Sequence, residues 1–149
     1  MYDSRIVDAA RSWIGTRFHH QGRLKKSHNH KGGVDCLGLL VGVAGELDLK
    51  TPDGIAITDF DITDYSHHPD TDNLKTILNN ILNTKTKNDI QPGDVLILEV
   101  DSNPQHLGIV SNYNKSLGLI HAYAPARGVI EHALDECWQA RVSAVFSIN

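Results

Sequence analysis

Cysteine is scarce in this chain, and its scarcity limits what can hold the fold together. Only Cys36 and Cys137 occur among 149 residues, which excludes a disulfide framework. Lys and Arg number 14 against 18 Asp and Glu, and the net charge of -4 argues against general nucleic-acid binding. No apolar run approaches the length of about 20 residues that crosses a membrane, so membrane insertion is not expected. The 40% hydrophobic content can instead supply one core.

The amino terminus lacks the features of a secretion signal. Residues 1–5 are polar and lead into an amphipathic segment rather than a continuous apolar stretch. We therefore expect a protein made in the cytoplasm without a signal peptide. The length is that of one domain, so residues 1–149 are predicted to form a single domain.

Of the two cysteines, Cys36 has the position of a nucleophile. It follows two glycines and Asp35, and the apolar residues behind it recur at helical spacing, which predicts a helix over residues 36–47 with Asp35 as its N-cap. Unpaired N–H groups at a helix start stabilise a thiolate, so we expect a lowered pKa for the Cys36 thiol. On position alone, a buried structural cysteine is the alternative. Cys137, beside Trp138, is predicted to be structural.

Two histidines are placed to assist such a nucleophile. A turn at residues 91–93 precedes a predicted strand, His106 opens the next strand, and His121 lies within the strand after that. Histidines on neighbouring strands can lie side by side, which gives a nucleophile, a base and a group that orients the base. The remaining histidines show no familiar metal-ligand spacing, and the acidic segment at residues 50–72 matches no calcium loop. Neither a metal nor an organic cofactor is expected.

Four segments, in this order, resemble those of the NlpC/P60 cell-wall peptidases, and most closely those of the bacteriophage and gene-transfer-agent branch. The segments are Asp35-Cys36 before an apolar helix, Pro92-Gly93-Asp94 before a strand, His106-Leu107-Gly108-Ile109, and Ile120-His121-Ala122. Residues 13–18 also resemble the upstream Gly-Thr-Pro-Tyr segment of that family. The resemblance implies a papain-like fold, in which the nucleophile helix packs on an antiparallel sheet.

The resemblance also implies an activity, the hydrolysis of peptide bonds in peptidoglycan stem peptides. Cys36 would attack the carbonyl carbon, His106 would take the thiol proton, and His121 would orient His106. Asp35 matches an acidic residue that resembles a binder of a substrate amino group. Delivery in a phage or phage-like particle, with phage tail proteins as partners, would fit the branch and the lack of a signal.

Two departures from the family pattern leave an alternative open. Phe18 stands where many relatives have a tyrosine that is thought to help stabilise the oxyanion, and Leu37 stands where many have serine. His20 or Gln21 could supply the missing hydrogen-bond donor, because both side chains can donate. The alternative function is a non-catalytic phage tail or assembly module that keeps the fold for docking.

The order of helices and strands predicts an α+β fold. Amphipathic spacing predicts helices over residues 3–14, 36–47 and 73–83, all in the first part of the chain. Five predicted strands follow, at residues 94–100, 106–113, 117–124, 128–132 and 141–148. Short connections make neighbouring strands antiparallel, so a roughly five-stranded antiparallel sheet is expected.

Overall fold

The computed structural model describes residues 3–61, 71–100 and 103–148, without the side chains of residues 71–73 and 103–105. The helices are α1 (Ser4–Arg11), α2 (Cys36–Leu47), α3 (Thr71–Ile81) and α4 (Glu136–Gln139). The strands are β1 (Arg23–Leu24), β2 (Gly33–Val34), β3 (Asn83–Lys85), β4 (Val95–Val100), β5 (Asn103–Tyr113), β6 (Ser116–Tyr123), β7 (Gly128–Ala133) and β8 (Val142–Ser147). Short 3-10 turns occupy Ile57–Phe60 and Ala124–Ala126.

The main sheet has six strands in the order β3-β8-β4-β5-β6-β7, and all neighbours are antiparallel. The predicted α+β fold is therefore confirmed, with six strands in place of five. The additional strand is β3, which pairs only with β8 at the edge of the sheet. Its sequence, Asn83-Thr84-Lys85, is polar and has no apolar alternation, so only pairing with the distant β8 defines it as a strand.

Helices α1, α2 and α3 cover one face of the sheet, and a smaller core lies on the other face. Side chains alternate between faces along each strand. Leu107 and Ile109 of β5 accordingly join α1, α2 and α3 in the larger core, whereas Val110 and Leu119 join the smaller core, against which Trp138 packs. Consequently, the start of α2 can meet the residues of the second face only at the edge of a strand.

The helix bounds differ slightly from those predicted. Helix α1 ends at Arg11 instead of continuing to residue 14, and α3 begins and ends two residues early. In the acidic segment, Asp59 lies in the first 3-10 turn, whereas Asp64, His67 and His68 lie outside the described residues. Within the described ranges, no helix is both long and apolar enough to cross a membrane.

Candidate active site

Cys36 is the first residue of α2, and its sulfur faces strand β5. The N-cap Asp35 accepts a hydrogen bond from Gly38 N at 2.8 Å, which fixes the first turn. The backbone N–H groups of Leu37 and Leu107 donate to the Cys36 sulfur. The sulfur therefore lies both at a helix start and beside the residue that follows His106.

The sulfur lies just beyond the regular pairing of β5 with β6. Regular pairing of the two strands begins with Ile109 opposite Ile120. Val110 N donates to Asp94 O on the β4 side of β5. N–H groups alternate in direction along a strand, and Leu107 lies three residues before Val110, so the N–H of Leu107 points toward the β6 side. The Cys36 sulfur accepts this hydrogen bond at the strand edge, from the residue that follows His106 in the sequence.

Three histidine rings form a hydrogen-bonded series on the second face of the sheet. His106 Nε2 lies 2.6 Å from His121 Nδ1, and His121 Nε2 lies 2.8 Å from His132 Nε2. At the far end, His132 Nδ1 lies 2.8 Å from the carbonyl oxygen of Ala133. The Trp138 ring contacts His121 edge-on, with ring centroids 5.1 Å apart, and contacts His132 at a tilt, with ring centroids 4.9 Å apart. We call His106, His121 and His132 the histidine series.

Gly108 makes room for this series. A Cβ atom at position 108 would lie 3.2 Å from the Cβ of His121 and 2.6 Å from a methyl carbon of Leu119. A side chain there would therefore displace β6 from β5 near His106. The glycine of the His-Leu-Gly-Ile segment is therefore needed for steric reasons, because a side chain at position 108 would prevent the close approach of His121 to His106.

Burial favours the neutral form of both partners of the candidate pair in the resting protein. Burial lowers the pKa of His106 to about 4. Burial raises the pKa of the Cys36 thiol to about 12, and the negative charge of Asp35 adds to this effect. The N–H groups of Leu107 and Leu37 and the charge of Arg23 oppose it. The sequence-based expectation of a lowered thiol pKa is therefore wrong, because desolvation exceeds the effect of the helix start.

Alkylation at different pH values tests this neutral resting state. Near pH 7, iodoacetamide should modify Cys36 more slowly than the exposed Cys137, because a thiol with a pKa of about 12 supplies almost no thiolate. Raising the pH moves the thiol toward deprotonation, so the Cys36 rate should still be climbing at about pH 10. Peptide mapping by mass spectrometry measures both rates. A faster reaction of Cys36 near pH 7 would show instead that a thiolate–imidazolium pair exists before substrate binds.

Asp35 joins the preceding loop to the start of α2. Asp35 is 4% exposed, and its carboxylate accepts from Gln21 N at 2.9 Å and from Arg23 Nη1 at 3.0 Å, in addition to Gly38 N. Arg23 Nε also donates to Asp61, at 2.9 Å. With these three bonds Asp35 organises the site in the resting structure, and its binding of a substrate amino group stays a prediction.

The other predicted site residues lie in the loop that Asp35 holds. Phe18 packs against the larger core and bridges to Val34, so its ring contributes apolar packing. His20 and Gln21 are half-buried, and Gln21 adopts a left-handed backbone conformation with φ of 61°. The bond from Gln21 N to Asp35 places this loop beside the start of α2. Donation by His20 or Gln21 to an oxyanion stays a prediction.

His132 is the site residue that sequence reasoning passed over. It lies on β7 opposite Leu119, on the same face as His121. The sequence did contain an indication of His132, because antiparallel pairing of the two predicted strands can place a histidine of the second strand near His121. The register depends, however, on the turn at Ala124–Ala126 and on Arg127, which adopts a left-handed conformation that the sequence does not specify.

The chain has an α+β fold in which a helix that begins with a cysteine packs on an antiparallel sheet, and solved structures of NlpC/P60 proteins share this fold. The P60 domain of an antigen from Mycobacterium avium subspecies paratuberculosis aligns with 98% of this chain and 94% of its own, at 12% identity and a TM-score of 0.57. The peptidoglycan hydrolase RipB from Mycobacterium tuberculosis aligns with 97% of this chain and 63% of its own, at 16% identity and a TM-score of 0.56. An N-acetylmuramoyl-L-alanine amidase from Bacteroides uniformis aligns over 98% of both chains, at 11% identity and a TM-score of 0.54.

The similarity to these proteins lies in the fold. No protein-family profile matches the chain, and no curated protein matches it by sequence. The chain spans nearly the whole length of some similar structures but only 39% of an NlpC/P60 protein from Bacillus cereus and 50% of NlpC2 from Trichomonas vaginalis. Among the described residues, no three His, Cys, Asp or Glu side chains are grouped so that they could hold a metal ion.

Proposed function

We propose that this protein is a cysteine peptidase that hydrolyses peptide bonds in peptidoglycan stem peptides. The observation that carries the proposal is the placement of the Cys36 sulfur at a helix start, on the N–H of Leu107, whose neighbour in sequence, His106, is joined to His121 at 2.6 Å. A nucleophile, a base and a group that orients the base are the components of thiol-dependent acyl transfer. Structures of similar fold include a peptidoglycan hydrolase and amidases, which supports the substrate class.

The chemistry begins with proton transfer from the neutral thiol. Cys36 Sγ attacks the carbonyl carbon as its proton passes to Nδ1 of His106, while Nε2 of His106 remains bonded to His121. The backbone N–H of Cys36 and a donor from His20 or Gln21 stabilise the oxyanion. Collapse of the tetrahedral intermediate breaks the C–N bond, and the leaving amine takes the proton from His106. Water, activated by His106, then cleaves the thioester and restores the thiol.

The finer parts of the proposal rest on the sequence motifs. Association with a phage tail or a similar particle follows from the resemblance of the Cys36, His106 and His121 segments to the bacteriophage branch. In this setting the protein would be made in the cytoplasm and carried to the cell wall. Stem peptides would be its substrate and tail proteins its partners.

Digestion of purified peptidoglycan tests the proposed function. The wild type should release products in which one water is added per cleavage, with a new amino and a new carboxyl group within the stem peptide and with intact glycan strands. Mass spectrometry of the soluble products identifies the bond. Release of complete stem peptides would instead assign amidase specificity to the same thiol chemistry.

The docking-module alternative makes the opposite prediction. If walls and isolated stem peptides from several species stay intact with the wild type, the proposed peptidase function is wrong. A pull-down with tail proteins would then be the appropriate assay.

A further inference from the structure

The histidine series ends at a carbonyl oxygen, which can only accept a hydrogen bond. This contact determines which nitrogen of each ring donates and which accepts. The partner of His132 Nδ1 is the carbonyl oxygen of Ala133, at 2.8 Å, so Nδ1 must carry the hydrogen. In a neutral imidazole only one nitrogen is protonated, and Nε2 of His132 therefore holds the lone pair.

The protonated nitrogens of His121 and His106 follow in the same way. Because His132 Nε2 accepts, the partner nitrogen at 2.8 Å, Nε2 of His121, must donate. Nδ1 of His121 then holds its lone pair and accepts from Nε2 of His106 at 2.6 Å. The remaining nitrogen of His106, Nδ1, is left with a lone pair. This is the nitrogen that a base needs in order to take the proton of the Cys36 thiol.

These tautomers belong to the state in which all three rings are neutral, and burial favours the neutral form of the two inner rings. Burial lowers the pKa of His106 to about 4. Burial also lowers the pKa of His121 to about 2, and the neighbouring His106 and His132 add to that shift. The reversed tautomers would direct a lone pair of His132 at the Ala133 carbonyl oxygen, or would place two N–H groups head to head at one of the contacts.

We propose that His132 is a positioning residue, which acts through His121 to hold His106 in the tautomer in which Nδ1 carries the lone pair. This inference rests on the proposed function for its catalytic consequence, whereas the tautomers themselves are a property of the folded protein. The side chain of His132 is half-buried and packs against Trp138, which holds the ring in line with His121.

Two substitutions at position 132 separate this role from simple packing. His132→Leu keeps apolar contact with Trp138 but leaves Nε2 of His121 without its acceptor. His132→Gln retains an acceptor oxygen at a similar reach. We expect kcat on stem peptides to fall about 10- to 100-fold in His132→Leu with KM nearly unchanged, and to recover in His132→Gln. A purely structural role would lower thermal stability in proportion to activity and would give no selective rescue by Gln.

Nitrogen-15 NMR of the imidazole rings reads the tautomers directly and needs no substrate. In the wild type near pH 7, Nδ1 of His106 should give a pyridine-type signal and Nε2 a pyrrole-type signal, and His132→Leu should mix or reverse them. The opposite assignment in the wild type would overturn the proposal, as would unchanged signals and unchanged kcat in His132→Leu. If the wild type cleaves no stem peptide, the proposed function fails while the NMR result still decides the tautomers. If His132→Leu does not fold, the wild-type spectrum and His132→Gln decide the question.

Discussion

Replacing Cys36 by alanine is expected to abolish hydrolysis of stem peptides, whereas replacing Cys137 should leave the rate within about twofold. Removal of a nucleophile lowers kcat by about 10⁴-fold or more, because the covalent route is lost and only binding remains. Cys137 provides a matched control, since it is the only other thiol and lies exposed on α4. The comparison separates the loss of a particular thiol from the loss of any thiol.

Both cysteine variants must be compared as folded proteins. The Cys36 side chain packs against the larger core, and truncation to alanine removes only the sulfur, so we expect a small decrease in the melting temperature. Product release from stem peptides is measured by chromatography, and folding by circular dichroism. Substantial activity in a folded Cys36→Ala variant would exclude Cys36 as the nucleophile. Equal losses in both variants would indicate a structural effect of removing a thiol.

The second large effect is expected on stability, where Asp35→Ala should lower the free energy of unfolding by about 3 kcal/mol. Part of this is the lost N-cap, which typically contributes about 1 kcal/mol. The remainder comes from the buried partners, because Arg23 loses one of its two carboxylates and Gln21 N loses its acceptor. Urea denaturation followed by circular dichroism measures the change.

Asp3 at the start of α1 is a matched control for this measurement. It also caps a helix, accepting from Arg5 N at 3.0 Å, but its ion pair with Arg5 is exposed. Asp3→Ala should therefore cost only about 1 kcal/mol. Equal losses for Asp3→Ala and Asp35→Ala would show that Asp35 acts as an N-cap alone. Asp35→Asn, which keeps the cap oxygen, should recover part of the loss.

The sequence was most informative where local physics decides the structure. Apolar spacing predicted α2 with its correct bounds, and the glycine turn with Asp35 predicted the N-cap that Gly38 N confirms. Strand patterns predicted five of the six strands of the main sheet, because alternation and turns are local signals. They missed β3, whose polar residues become a strand only through pairing with β8.

The candidate site was predictable in its parts, and the chain alone indicated Cys36, His106 and His121. Their chemical types and their order along the chain are enough to suggest a nucleophile, a base and a third polar group. The sequence could not show the thiol pKa, because the helix start is visible in the sequence but burial and the approach of Leu107 are not. The expectation of a lowered pKa for the Cys36 thiol was therefore wrong.

By itself, the sequence determined the α+β order of elements, the lack of a disulfide framework and the helix start at Cys36. Only the tertiary structure decided which groups meet. The pairing of β5 turns the Leu107 N–H away from β4 and toward the Cys36 sulfur, and the register of β6 with β7 brings His132 to His121. These contacts join residues far apart in the chain, so their distances and directions depend on strand register, which no local pattern specifies.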